Sequence, residues 1–404
     1  MQLKVTKKAL GLSLLFILLA LVAFNMKSMY RLYKVVTLYD EDKIVANFIG
    51  MHKFFEFTTL KASSTPTFLP ESPADMPLTF EFNGKDIKLN DFMEQNSTTG
   101  LLVVKDGKIV HEQYRLGFEK NMQHISWSMG KSFISALFGI ALDEGHIKSI
   151  EQTVTDYVPE LKGSGYDGVR IKDVLQMSSG VKFNEDYGDF HSDINRFGRT
   201  IALGNSLDDF AATLTREREP GTYHHYVSID TQVLGMILTR ATGASLTQYL
   251  QEKIWDPMGM EYDAYWLSDD LGMELALGGL NVSLRDYAKF GVMFGQKGVW
   301  QGKQIVPREW VEASTTADAP HLQPGADNPL SSSTHGYGFQ WWLPVGRDDE
   351  FNAQGIYNQF IFIDPDQNLV IANTSANHLY NDKSHQWNGK HMAMFRAISA
   401  NFAD

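Results

Sequence analysis

The chain reads Ser126-Trp-Ser128-Met-Gly-Lys131-Ser132 and runs on into Phe133-Ile-Ser-Ala-Leu-Phe-Gly-Ile-Ala-Leu142, closed by Gly145. A segment apolar on nearly every face predicts a helix in the middle of a protein rather than on its surface. Ser128 and Lys131 are three apart, so on that helix they share a face and the amine reaches the hydroxyl. A serine hydroxyl keeps its proton far above neutral pH and needs such a neighbour before it can attack a carbonyl. The spacing alone is cheap, with about one match expected by chance in a chain of this size. A second match, Ser179-Gly-Val-Lys182, sits in a Gly-containing loop with no apolar helix behind it. Ser128 is singled out by the apolar helix it opens.

Other nucleophile patterns fail. Gly130-Lys131-Ser132 resembles the end of a phosphate-binding loop, but the glycine required five residues earlier is Ile125. No Gly-x-Ser-x-Gly elbow and no His-Glu-x-x-His is present. His224-His225 lacks an accompanying carboxylate pattern, so no metal site is expected. A Ser-Lys pair needs a second base and an oxyanion hole. Tyr226, in Pro220-Gly-Thr-Tyr-His-His-Tyr226-Val-Ser228, precedes an expected helix at 231–242 with Asp230 as N-cap and Gly243 after its end. Beside a lysine, such a tyrosine could stand as phenolate and take the serine proton.

Outward from this centre, Leu101–Lys105 and Lys108–Tyr114 flank Asp106-Gly107, a two-residue hairpin signal. Strand chemistry returns at Tyr337–Leu343, Gln359–Ile363 and Leu369–Thr374, and a helix is expected at about Met392 to Phe402. The stretch from about 146 to 300 is mostly helical punctuation, with a further helix starting behind Ser245. Strands at both ends with helices between predict an α/β domain, its sheet built from the two termini, carrying an inserted helical part.

The composition excludes whole classes. With 43% hydrophobic and 21% charged residues over 404, the chain is ordinary globular chemistry. A formal charge of −12 and no basic stripe argue against nucleic acid. With no cysteine there is no disulfide, thiolate metal site, cysteine nucleophile or lipobox-type lipid anchor.

Lys4, Lys7 and Lys8 precede an uncharged apolar run from Ala9 to Phe24 without a clean small-x-small cleavage site. Residues 1–26 therefore read as an uncleaved signal anchor in preference to a cleaved signal. The expectation is a single-pass protein of the inner membrane with its bulk extracytoplasmic. Residues 27–75, with Ser63-Ser-Thr-Pro-Thr67, Pro70 and Pro73, read as a juxtamembrane linker, and the folded body as 76–404.

From about 100 to 395 the chain resembles the serine β-lactamase/penicillin-binding protein superfamily in its class C-like branch. Within that branch it is most similar to the nylon-oligomer (6-aminohexanoate-dimer) hydrolases and related esterases. The resemblance is carried by Ser126–Phe133, Val174-Leu-Gln-Met-Ser-Ser-Gly180, Tyr226–Gly235, Gly278-Gly-Leu-Asn-Val-Ser-Leu-Arg-Asp286 and Gly336-Tyr-Gly-Phe-Gln-Trp-Trp342, in the family's order. It implies a β-lactamase-like fold, with Ser128 as acylated nucleophile, Lys131 as its partner, and Tyr226 as base in acylation and acid to the leaving group. It implies that Ser228 stands where β-lactamases have asparagine, that Ala353-Gln354-Gly355-Ile356 occupies the Lys-Thr-Gly strand, and that the backbone N–H groups of Ser128 and Ile356 form the oxyanion hole. It implies that Tyr187 closes over a substrate amide, with Ser228 and Gly355 also lining the substrate. No cofactor is implied.

The departures matter as much. Ala353-Gln354 offers no cation for the carboxylate shared by β-lactams and peptidoglycan stems, and Tyr226-Val-Ser228 lacks the asparagine. Both weaken the antibiotic and cell-wall expectations and favour a linear ester or amide as the small-molecule partner. A penicillin-recognising protein is the runner-up enzyme. A non-catalytic domain binding cell-wall fragments is the alternative outside enzymes.

Overall fold

The computed structural model describes residues 7–403, without the side chains of residues 7–10, 17–18, 20–25 and 27. The basic residue Lys4 and the side chains of Lys7 and Lys8 thus lie outside the described residues.

Seven antiparallel strands make the main sheet, in the spatial order Gly336–Tyr337, Trp342–Leu343, Phe351–Gly355, Gln359–Asp364, Leu369–Ser375, Thr98–Lys105 and Lys108–Tyr114. Two strands from the N-terminal part thus close a sheet built from the C-terminal part: Leu102 pairs with Ala372, which pairs with Ile361. Strand alternation sends successive residues to opposite faces. Leu101 and Val103 join Phe360, Phe362 and Ile371 under the C-terminal helix Trp387–Asn401, whose Phe395 and Ile398 share that core. Leu102 and Val104 join Ile361, Ile363 and Val370 on the other face, in the core that contains Phe133 and Phe138. There the helix Leu284–Gly295 lies close because Gly291 has no side chain: a Cβ would meet Ile361 and Val370 at 2.6 Å.

The hairpin at Asp106-Gly107 forms as expected, with φ of +50° and +72° at its two central residues. The all-round apolar segment is a helix, Lys131–Asp143, buried from Lys131 through Ala141. Between the two sheet-forming parts the chain is mainly helical, and it contributes the strands Ala264–Ser268 and Leu280–Val282 to a second, four-stranded sheet.

Several boundaries differ from expectation. The helix after Tyr226 is Ser228–Thr242, so Asp230 lies inside it and the N-cap is Val227; Gly243 ends it at φ +71° as expected. Tyr337–Leu343 is a tight hairpin rather than one strand, turned at Gln340 with φ +62°. The buried Gln340 amide donates to Leu175 O at 2.8 Å and accepts from Thr231 at 2.6 Å, contacts that hold the turn.

The stretch read as a linker from 27 to 75 packs into the body. Its helix Ile44–Ile49 buries Ile44 and Phe48, and its strand Glu56–Leu60 pairs along Ala264–Ser268. Residues 61–78 run without helix or strand. Ahead of them lies the N-terminal helix Lys7–Val36, on which Leu12, Leu14, Leu15, Phe16 and Leu19 are exposed. Among the described residues no helix is long and apolar enough to cross a membrane.

Candidate active site

The short strand His124–Ile125 at the edge of the four-stranded sheet feeds the turn that carries Ser128. The Ser126 N–H donates to Leu280 O at 2.8 Å and the Tyr287 hydroxyl donates to His124 O at 2.9 Å, which fix the strand end. Residues Trp127–Gly130 then make one 3₁₀ turn before the α-helix begins at Lys131. Trp127 sits at φ +45°, a left-handed conformation that a bulky residue adopts only under constraint. Ser128 thus stands half-buried at the N-terminal end of a deeply buried helix, where helical N–H groups favour developing negative charge.

Lys131 is 1% exposed, and its Nζ donates to Ser128 Oγ at 3.2 Å and to Leu277 O at 2.5 Å. Burial disfavours the ammonium and pulls Lys131 down to about 7, against the opposing pull of Glu185 and Asp230. Near neutral pH a large fraction of Lys131 is therefore an unprotonated amine within reach of the serine. Its nitrogen also lies 5.5 Å from the centroid of the Tyr226 ring. That ring stacks on Trp342 at 5.2 Å, and its hydroxyl faces the hydroxyls of Ser128 and Ser228. Burial, reinforced by the charge of Glu185, pushes Tyr226 up from the ordinary phenol range. Burial thus favours the protonated phenol at Tyr226 and the neutral amine at Lys131.

Ser228 opens its helix with its side chain directed at Glu185, whose carboxylate accepts from Ser228 Oγ at 2.5 Å and Ser228 N at 3.1 Å. The same carboxylate accepts from the Tyr187 hydroxyl at 2.9 Å. Burial pushes the Tyr187 phenol well up, so it is a neutral donor. Two residues along, burial raises Asp230 to about 8 despite the Tyr166 hydroxyl donating to it at 2.8 Å.

Opposite the serine, the strand Phe351–Gly355 ends against the nucleophile turn: any Cβ at Gly355 would collide with the Ser126 carbonyl. Ile356 follows, in a turn completed by Tyr357 and Asn358 at φ +61° and +67°. This turn is held from behind by amides. Asn358 Nδ2 donates to Asn96 Oδ1 at 2.6 Å, Asn373 Nδ2 to Asn358 O at 2.9 Å, and Gln359 Nε2 to Tyr357 O at 3.0 Å. It is held in front by Tyr39, stacked on Tyr357 at 4.8 Å.

The structure therefore brings Ser128, Lys131, Tyr226, Ser228 and Tyr187 to one place, with Gly355 and Ile356 beside the nucleophile turn. Ser179 and Lys182 flank Gly180 at φ +72°, and the buried Ser179 hydroxyl is hydrogen-bonded to Asp230 behind Lys131 rather than paired with Lys182 on a helix. His224 is a buried ring stacked on Tyr337 at 5.1 Å, with Nδ1 against Ser331 Oγ. Ala353 is buried, and the side chain of Gln354 accepts from Asn388 at 2.7 Å, so residues 353 and 354 place no cation at the site. Reading the sequence did not assign Glu185. Its signal was thin, an acidic residue two before Tyr187 in a run that also holds Asp186 and Asp189.

The family profile described as Beta-lactamase matches residues 88–388. The 6-aminohexanoate-dimer hydrolase of Paenarthrobacter ureafaciens is 30% identical over 295 residues, covering 71% of this chain and 75% of that protein. In fold, the chain is similar to the solved structure "Putative 6-aminohexanoate-dimer hydrolase from Bacillus anthracis", with a TM-score of 0.80 at 24% identity, covering 90% of this chain and 95% of that one. It is also similar to a class C β-lactamase mutant, with a TM-score of 0.55 at 18% identity over 77% of this chain and 95% of that one. Extent of match and fold agree with the convergence of Ser128 and Lys131 at the head of a buried helix, and the chain belongs to the β-lactamase family as a serine hydrolase.

Proposed function

We propose that the protein cleaves small linear amides or esters through an acyl-enzyme on Ser128, in the manner of the 6-aminohexanoate-dimer hydrolase it resembles. The observation that carries the reading is the contact of Lys131 Nζ with Ser128 Oγ at 3.2 Å, with a lysine adjusted to about 7. The neutral amine takes the Ser128 proton as Oγ bonds to the substrate carbonyl carbon. The N–H groups of Ser128 and Ile356 receive the oxyanion, and loss of one such donor typically costs about 10²–10³ in rate. As the tetrahedral species collapses, Tyr226 gives its proton to the departing amine or alcohol and regains one from the Lys131 ammonium. Water then attacks the ester, and the same groups run in reverse to release the acid. Tyr187, Ser228 and Gly355 line the acyl site in this reading, and no metal or organic cofactor enters it.

The absence of a cation at Ala353 and Gln354 supports an uncharged or linear substrate over a β-lactam. We further propose that residues 1–26 anchor the chain in the inner membrane by a single pass, with the catalytic domain extracytoplasmic. The uncharged apolar run Ala9–Phe24 and the exposed leucines on its helix support the anchor.

Turnover of a short-chain nitrophenyl ester, a linear aminohexanoate amide and a chromogenic cephalosporin tests the substrate class. Serine-dependent cleavage of the first two, with slow cephalosporin turnover, is expected. Fast cephalosporin cleavage would overturn the linear-substrate reading.

A further inference from the structure

Apolar side chains from three separate parts of the chain surround the point where the N-terminal helix meets the body. On that helix Met29, Tyr30 and Tyr33 are more than half exposed. Beside it stand Leu203 and Leu271, 49% and 76% exposed. Arg31 locks these segments together. Its guanidinium pairs with Asp270 at 2.6 Å, and a Cβ at Gly204 would run into both partners. Leu203 and Leu271 are the chain neighbours of Gly204 and Asp270, so they flank the helix at this level. The helix Asp193–Ala202 packs on the N-terminal helix and leads back to Phe190, which is 65% exposed. Arg199 donates to Phe190 O at 2.7 Å and lies 4.1 Å from its ring centroid.

Exposed apolar side chains along a helix and on the segments that pack against it mark an interaction surface. The character of this one is specific. Tyrosines, with Lys34 lying 5.8 Å from the Tyr30 centroid, come directly after the exposed apolar stretch of the same helix. Amphipathic aromatic rings and cationic side chains at the end of an apolar helix belong at the level of lipid headgroups.

We propose that Phe190, Leu203 and Leu271 form a collar that seats the catalytic body on a phospholipid bilayer around the N-terminal helix. This rests on the anchor reading above and goes beyond it, because it fixes how the body sits. Asn195, on the helix within the collar, donates to the carbonyls of Tyr187 at 3.1 Å and Asp189 at 2.8 Å. The loop bearing Glu185 and Tyr187 is thereby tied to the helix that packs on the N-terminal helix.

The chain has no cysteine, so Phe190→Cys, Leu203→Cys, Leu271→Cys, Leu15→Cys and Lys303→Cys each accept a single bimane label. The full chain is reconstituted in phosphatidylethanolamine/phosphatidylglycerol vesicles carrying nitroxide lipid, and turnover of a soluble nitrophenyl ester verifies that each variant is folded. Quenching at the three collar positions is expected to exceed that at Lys303 by about twofold or more. Quenching at Leu15 with none above the Lys303 level at the collar would overturn the collar and leave the anchor standing. No quenching at Leu15 would remove the anchor, and the proposal with it.

Discussion

Glu185 and Ser228 are tied twice, hydroxyl to carboxylate at 2.5 Å and backbone N–H to carboxylate at 3.1 Å. This pair of hydrogen bonds fixes the first residue of the helix after Tyr226 and places a negative charge near Lys131. Replacing Glu185 by glutamine removes that charge, which holds the Lys131 pKa up, so the Lys131 pKa falls further. The acid limb of the rate profile of Glu185→Gln is expected to move to lower pH. Its kcat/KM at neutral pH should drop about tenfold, roughly 1.4 kcal/mol, through a loosened Ser228 and Tyr187. A kcat/KM profile against pH measures both.

In the wild type, Lys131 must be neutral to accept the serine proton. The fraction in that form grows as pH rises through its folded value of about 7. Ester kcat/KM is expected to rise with pH along a single limb with midpoint near 7. Lys131→Arg cannot shed its proton in this range, so it should lose about 10³-fold or more and show no such limb. Stopped-flow rates from pH 5 to 9 test this.

Tyr226→Phe keeps the ring stacked on Trp342 and deletes only the hydroxyl that faces Ser128 and Ser228. Loss of the proton donor to the leaving group predicts a fall of about 10²–10³ in kcat with KM nearly unchanged. The fall should be smaller for a nitrophenyl ester, whose leaving group needs no proton, than for an amide. Equal losses on the two substrates would assign Tyr226 a different role.

Asn358 lies at φ +67°, a conformation glycine adopts without strain. Asn358→Gly therefore removes its side-chain bond to Asn96 while leaving the turn geometry open. A stability loss of about 0.5–1.5 kcal/mol is expected, because the buried Asn96 oxygen keeps only the longer bond from Asn377. Urea unfolding at constant slope reads it.

The parts of this protein that announce themselves in sequence are those where one physical signal dominates. Phe133–Leu142 lacks a polar face, so its burial could be read from composition alone. Asp106-Gly107 could be read because few residue pairs tolerate two left-handed conformations. Where packing at a distance decides, the sequence is silent. Glu56–Leu60 becomes a strand only because Ala264–Ser268, some 200 positions on, supplies its partner. The Tyr337–Leu343 run folds into a hairpin because the Gln340 amide finds Leu175 and Thr231. At the site, Ser128 and Lys131 lie one turn apart and share a local signal. Glu185 carries none: an acidic residue in a loop looks like solvated surface until Ser228 and Tyr187 are seen to donate to it. The burial of Tyr226, which favours its protonated phenol, was also hidden, since it is set by residues distant in sequence.

The central claim is that Ser128 carries the acyl group. Intact-mass and peptide-mapping spectrometry of the full chain, quenched in acid during turnover of a slow nitrophenyl ester, tests it most directly. The account predicts one acyl adduct, mapped to Ser128, that builds up at low pH and is absent from Ser128→Ala. An adduct on another residue, or undiminished turnover by Ser128→Ala, would contradict it.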